Sequence, residues 1–80
     1  MITGLQIRAA RSALKWTTAE VAARSGVAVR TIKRFEKSDD VPPSRSSTLI
    51  TVKSALEAAG IEFIGSPSDR PGIRMGRKPD

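Results

Sequence analysis

VAARSGVAVRTIKRFEK, residues 21–37, is the stretch on which the reading of this chain turns. A helical run is broken at Gly26 and resumes with Arg30, Lys33, Arg34 and Lys37 set around Ile32 and Phe35. Glycine adopts the left-handed backbone that closes a helix without a Cβ clash, so a turn is expected at 26. Beyond it, Ile32 and Phe35 lie three apart as the inward residues of a helix over about 28–36, leaving the four cations on its free side. A helix made only to complete a core has no need of that charge.

Working outward, Thr17-Thr18-Ala19-Glu20 fits a capping box, with Trp16 placed to staple onto Val21, so a short helix of about two turns precedes the glycine. Ala22 is small where the two helices would cross, and Val27 would help to fill their inner side. An earlier helix starts from the box Thr3-Gly4-Leu5-Gln6, burying Ile7, Ala10 and Leu14 while Arg8 and Lys15 point outward. Downstream, Ser38-Asp39-Asp40-Val41-Pro42-Pro43-Ser44 is a connector in which the prolines forbid helix. Ser46 or Ser47 is expected to cap a fourth helix with the stripe Leu49, Val52, Leu56 and Ala59, stopped by Gly60. From residue 61 the period changes. Ile61-Glu62-Phe63-Ile64 and Ile73-Arg74-Met75 read as strands joined through 65–72, a small antiparallel hairpin. The expectation is a mainly α protein, four helices plus that hairpin: a domain over 1–60, the hairpin over 61–75 and a flexible basic tail over 76–80.

The 80 residues suffice for one domain, and no cysteine or histidine is present. Disulfides, thiolate or histidine metal sites and triads with a histidine base are therefore excluded by inventory. No apolar run approaches the roughly 20 residues that span a bilayer, and the N-terminus lacks signal-peptide character, so a cytoplasmic protein without membrane association is expected. Charge is placed unevenly: residues 1–37 carry eight Lys and Arg against two acids, a net of +6, whereas 38–80 carry six of each sign. That excess suits a polyanion. A merely solubilising face would account for charge alone.

Two short helices around a glycine turn, the second basic on its free face, match the geometry that puts a helix into the major groove. Here the chain resembles the Cro/repressor-type (lambda-repressor-like, xenobiotic-response-element) helix-turn-helix transcription regulators. The resemblance spans roughly 5–58 and rests on Ile7, Arg11, Leu14, Thr17-Thr18-Ala19-Glu20-Val21-Ala22, Gly26-Val27, Thr31-Ile32, Phe35-Glu36 and the helix from Leu49 to Leu56. It implies a lambda-repressor-like bundle, an ion pair between Arg11 and Glu36, and base reading by Ala28, Val29, Arg30, Lys33 and Arg34. Two departures stand out: Thr18 replaces the glutamine common at the start of helix 2, and no glycine follows Glu36.

Arg30 and Arg34, one turn apart, could each pair bidentately with guanine, while Ala28 and Val29 offer apolar contact to a thymine methyl. Thr17, Thr18, Arg24, Lys37 and Arg45 are the phosphate candidates. The expected function is sequence-specific binding of double-stranded DNA by a transcription regulator, such as a phage repressor, an antitoxin or a restriction-modification controller. It would act as a homodimer on a two-fold operator, without cofactor, metal or small-molecule ligand. Ile61, Phe63, Ile73 and Met75 form an apolar hairpin face that packs either on its own fourth helix or on a second subunit. The rival is a protein-interaction module whose basic helix docks an acidic partner. Trp16 and Phe35 could stack on single strands but fit core positions better; Asp39-Asp40 reads as a turn before a cation site, and Gly76-Arg77-Lys78-Pro79 as a tail before a minor-groove arm. No catalytic constellation is present, so an enzyme is not expected.

Overall fold

Thr3 opens the first helix as its sequence predicts. Its hydroxyl accepts from the Gln6 N–H at 3.0 Å, and Gln6 Oε1 accepts from the Thr3 N–H at 2.8 Å. This computed structural model describes residues 1–76, so the expected tail lies, beyond Gly76, outside the described residues. The elements are α1 Gly4–Leu14, α2 Thr18–Ser25, α3 Val29–Glu36, α4 Ser46–Ala58, β1 Ile61–Ser66 and β2 Asp69–Met75. The strands pair antiparallel, and the architecture is mainly helical.

Several local details differ from the sequence reading. At α2 only half of the expected box forms: Thr17 accepts from the Glu20 N–H at 3.1 Å, but the Glu20 carboxylate turns the other way, to Arg24 at 3.4 Å. An arginine one helical turn ahead competes for that carboxylate with the single backbone N–H behind it. Neither Ser46 nor Ser47 caps α4. Arg45 is the N-cap, in extended conformation with no side-chain cap, and both serines are exposed inside the first turn, where water can serve the free N–H groups. Arg8 does not point outward, for reasons that emerge at the end of α3.

The hairpin is longer than expected. Strand structure reaches Ser66 and resumes at Asp69, leaving a turn of Pro67 and Ser68. Ile61 opposes Met75, Phe63 opposes Ile73 and Ile64 opposes Gly72, after which the register slips before Ser66 meets Asp69. Gly65 at φ 75° and Arg70 at φ 50° accommodate the slip. Pro71 is tolerated because a two-stranded sheet leaves one side of each strand unpaired. The segment that read as a long loop is thus mostly strand, with a bulge at Gly65 and a two-residue turn at Pro67 and Ser68.

One core joins all of these elements: Ile2, Ile7, Ala10, Val21, Ile32, Phe35, Leu49, Val52, Leu56 and Ile61 are buried together. Phe63 and Ile73 pack against it from the hairpin, as do Leu14 and Ala22 from the helices and Trp16 and Val27 from the turns between them. Three of the four apolar hairpin residues therefore pack within their own chain, and Met75, opposite Ile61, is left 54% exposed.

Gln6 has a second task that the sequence does not announce. Its Nε2 donates to the carbonyls of Ile64 at 3.2 Å and Gly72 at 2.9 Å, tying α1 to both strands. Replacing it strips one cap and removes the two donations that tie α1 to the hairpin backbone. Gln6→Ala is expected to cost about 3 kcal/mol in urea denaturation, with the hairpin amides losing exchange protection first; Thr17→Ala, which removes one exposed cap, should cost about 1 kcal/mol.

Candidate nucleic-acid interface

The turn between α2 and α3 is Gly26, Val27 and Ala28. Gly26 takes φ 73° and donates its N–H to the Ala22 carbonyl at 2.8 Å. A Cβ there would meet no atom within 4 Å, so the demand is for backbone conformation alone. Ser25, which the sequence did not single out, braces the corner: its hydroxyl donates to the Val21 carbonyl at 2.7 Å and accepts from the Val27 N–H at 3.3 Å.

On α3 the two faces separate cleanly. Ile32, Phe35 and Glu36 are buried, while Arg30, Lys33, Arg34 and Lys37 are exposed. At about 100° per residue the four cations fall within an arc of about 100°, centred opposite the buried side. Among the described residues no carboxylate pairs with any of the four. The Arg34 guanidinium lies 5.9 Å from the Phe35 ring centroid, the outer limit of a cation–π contact, and remains in solvent.

The other expected contact residues are placed less uniformly. Ala28 is the exposed N-cap of α3, whereas Val29 is half-buried, about 60° around the helix from Ile32 and so on the flank of the cationic arc. Thr17 and Thr18 stand at the start of α2, Thr17 exposed with its hydroxyl oxygen already capping, and Thr18 half-buried. Lys37 ends α3 and Arg45 begins α4, both exposed. Arg24 has partners of its own: its guanidinium stacks 4.4 Å from the Trp16 ring centroid and pairs with Glu20, beside Ala55 and Ala58 of α4 and its C-cap Ala59. A phosphate would have to draw Arg24 away from both.

Beneath the cationic face, Glu36 is buried as a carboxylate. Arg11 Nε donates to its two oxygens at 3.1 and 2.9 Å, and Arg11 Nη2 donates at 2.9 Å. The remaining Arg11 nitrogen donates to the Trp16 carbonyl at 3.1 Å. Hydrogen bonding to Glu36 raises the Arg11 pKa above its already high value, outweighing the opposing effect of burial. No buried side-chain polar atom among the described residues lacks a partner, so the pair meets the condition under which a buried ion pair is tolerated.

Arg8 joins this arrangement. Its Nη1 donates to the backbone carbonyl of Glu36 and its Nη2 pairs with Asp39 at 3.1 Å. Carbonyls at a helix C-terminus carry negative partial charge without intrahelical donors, and a nearby guanidinium satisfies that need. Gly4 is the third contact of α1 with this region. Its N–H donates to the Asp40 carbonyl at 3.0 Å, and a Cβ at this position would collide with the carbonyl oxygens of Phe35 and Ser38.

No protein-family profile matches the sequence, and no curated protein is significantly similar to it. Among the described residues no helix is long and apolar enough to cross a membrane.

The burial of the two partners differs, with 8% of the Glu36 side chain exposed against 23% for Arg11. Arg11→Ala, which strands the more buried charge, is therefore expected to cost more than Glu36→Ala, about 4 against about 3 kcal/mol. A double-mutant cycle by chemical denaturation should give a coupling of about 2 kcal/mol. Additive losses would mean that the two side chains contribute independently.

Proposed function

We propose that this protein is a sequence-specific double-stranded DNA-binding transcription regulator of the lambda-repressor-like helix-turn-helix type, with α3 as the helix that enters the major groove. The observation that carries this reading is the outer face of α3: four exposed cations in one arc, with no acid among the described residues paired to any of them. A helix with its side chains is about 10–12 Å across and fits the major groove, whose width is about 12 Å.

Within that face the roles divide by position. Arg30 and Arg34 are one turn apart and present guanidinium forks suited to guanine O6 and N7. Lys33 and Lys37 present point charges, and Ala28 offers a methyl group at the leading end. Thr17, Thr18 and Arg45, at the starts of α2 and α4, are the phosphate contacts in this reading, with Lys37 shared between the two roles. The protein needs no cofactor or metal for this and performs no catalysis. Two copies on a two-fold operator would place their α3 helices about 34 Å apart, which requires self-association or cooperative binding. With most of the apolar hairpin face packed inside its own chain, pairing through an open strand edge is the route this fold leaves to the hairpin.

Selection of bound duplexes from a random pool tests the reading. The wild-type protein should recover one sequence pattern, and log affinity should fall with log salt with a slope of about −0.9 per phosphate neutralised. Arg30→Ala and Arg34→Ala should each relax preference at one base position, at a cost of about 1–3 kcal/mol. A protein that binds acidic polypeptides and shows no preference among duplexes would be an interaction module instead.

A further inference from the structure

Gly4, Arg8 and Arg11 are spaced four and three apart on α1, so they form one stripe, beside the apolar stripe of Ile7, Ala10 and Leu14. All three touch the same place, the end of α3 and the turn that leaves it. Gly4 admits the Phe35 and Ser38 carbonyls, Arg11 holds the Glu36 side chain, and Arg8 spans the Glu36 carbonyl and the Asp39 carboxylate. The opposite end of α3 is held differently, by the Gly26 corner and an Ala28 N-cap without any side-chain hydrogen bond.

From this asymmetry we infer that Arg8 is a positioning residue for DNA recognition: it fixes the pose of α3 from its C-terminal end and does not itself bind the duplex. This role rests on the proposed DNA-binding function and deepens it. A helix of eight residues is about 12 Å long, so a tilt of about 5° at the anchored end displaces the leading end by about 1 Å. That is twice the tolerance of about 0.5 Å within which a directed contact keeps its geometry. Arg30, in the first turn, is where such a tilt is felt most. A bridge to an exposed carboxylate has little effect on stability by itself. The fork matters because one guanidinium reaches two acceptors, a backbone carbonyl and a carboxylate, which a single ammonium does not reproduce.

The test uses Arg8→Lys and Arg8→Met in the full chain, measuring affinity for the duplex recovered by the wild-type protein and for random duplex across a salt series. Amide exchange is followed alongside. The expected result is a specific-to-random ratio reduced about tenfold in both variants, a salt slope equal to that of the wild type in Arg8→Lys and in Arg8→Met, and faster exchange over 36–40 with Val52 unchanged. A slope shallower by about 0.9 in Arg8→Met, with specific and random affinities falling together, would make Arg8 a phosphate ligand and overturn the inference. Unchanged specificity in folded variants would overturn it as well, reducing Arg8 to a stabilising contact. If the wild-type protein recovers no duplex, it is the DNA-binding reading that fails, an outcome distinct from wild-type binding that Arg8 substitutions leave intact.

Discussion

The buried pairing of Arg11 with Glu36 is the constraint on which the rest of this small fold depends. A carboxylate on the inner side of α3 has to be met by donors, and Arg11 of α1 supplies them. Once that pair forms, α1 and α3 are fixed relative to each other, Trp16 is drawn in through its carbonyl, and the outer face of α3 is directed to solvent. An apolar pair at these positions would fill similar volume with weaker constraint on register. A guanidinium fork closing on two oxygens specifies both a distance and an orientation.

Around this pair the molecule divides its labour. Apolar burial supplies cohesion through a single cluster that draws on every helix and on β1. Polar contacts supply alignment, and they concentrate on α1: Gln6 binds the hairpin backbone, while Arg8 and Arg11 bind the end of α3. The result is a scaffold whose fixed side is rich in satisfied hydrogen bonds and whose free side, along α3, carries charge with no partner among the described residues. Such charge raises the self-repulsion of the folded state, and a polyanionic partner removes it.

Much of this was legible in the sequence because the signals were local. Gly26 marks its turn through backbone conformation, Thr3 and Thr17 mark their helices through caps, and Ile32 with Phe35 mark the inner face of α3 by spacing. What escaped notice depended on partners distant in the chain. Gln6 looks like half of a capping box until the hairpin carbonyls, nearly sixty residues or more away, are in place. Gly4 looks like an ordinary first-turn residue until the Phe35 carbonyl is seen against it. Arg8 falls on the outward side of a helical wheel drawn around Ile7 and Ala10, and only a neighbouring helix terminus draws it inward. The hairpin was underestimated for the opposite reason: Gly65, Pro67, Pro71 and Gly72 are local breaker signals, and pairing between β1 and β2 absorbs them as a regular pair at Gly72, a bulge around Gly65 and Pro71, and a short turn at Pro67.

Amide chemical-shift mapping during titration with a selected duplex tests the central claim most directly, because it reports which surface meets the nucleic acid without altering the protein. Saturable changes concentrated over residues 28–37, with smaller ones at the starts of α2 and α4, are what this account predicts. Changes centred on the hairpin or the exposed side of α4, with the α3 amides undisturbed, would contradict it.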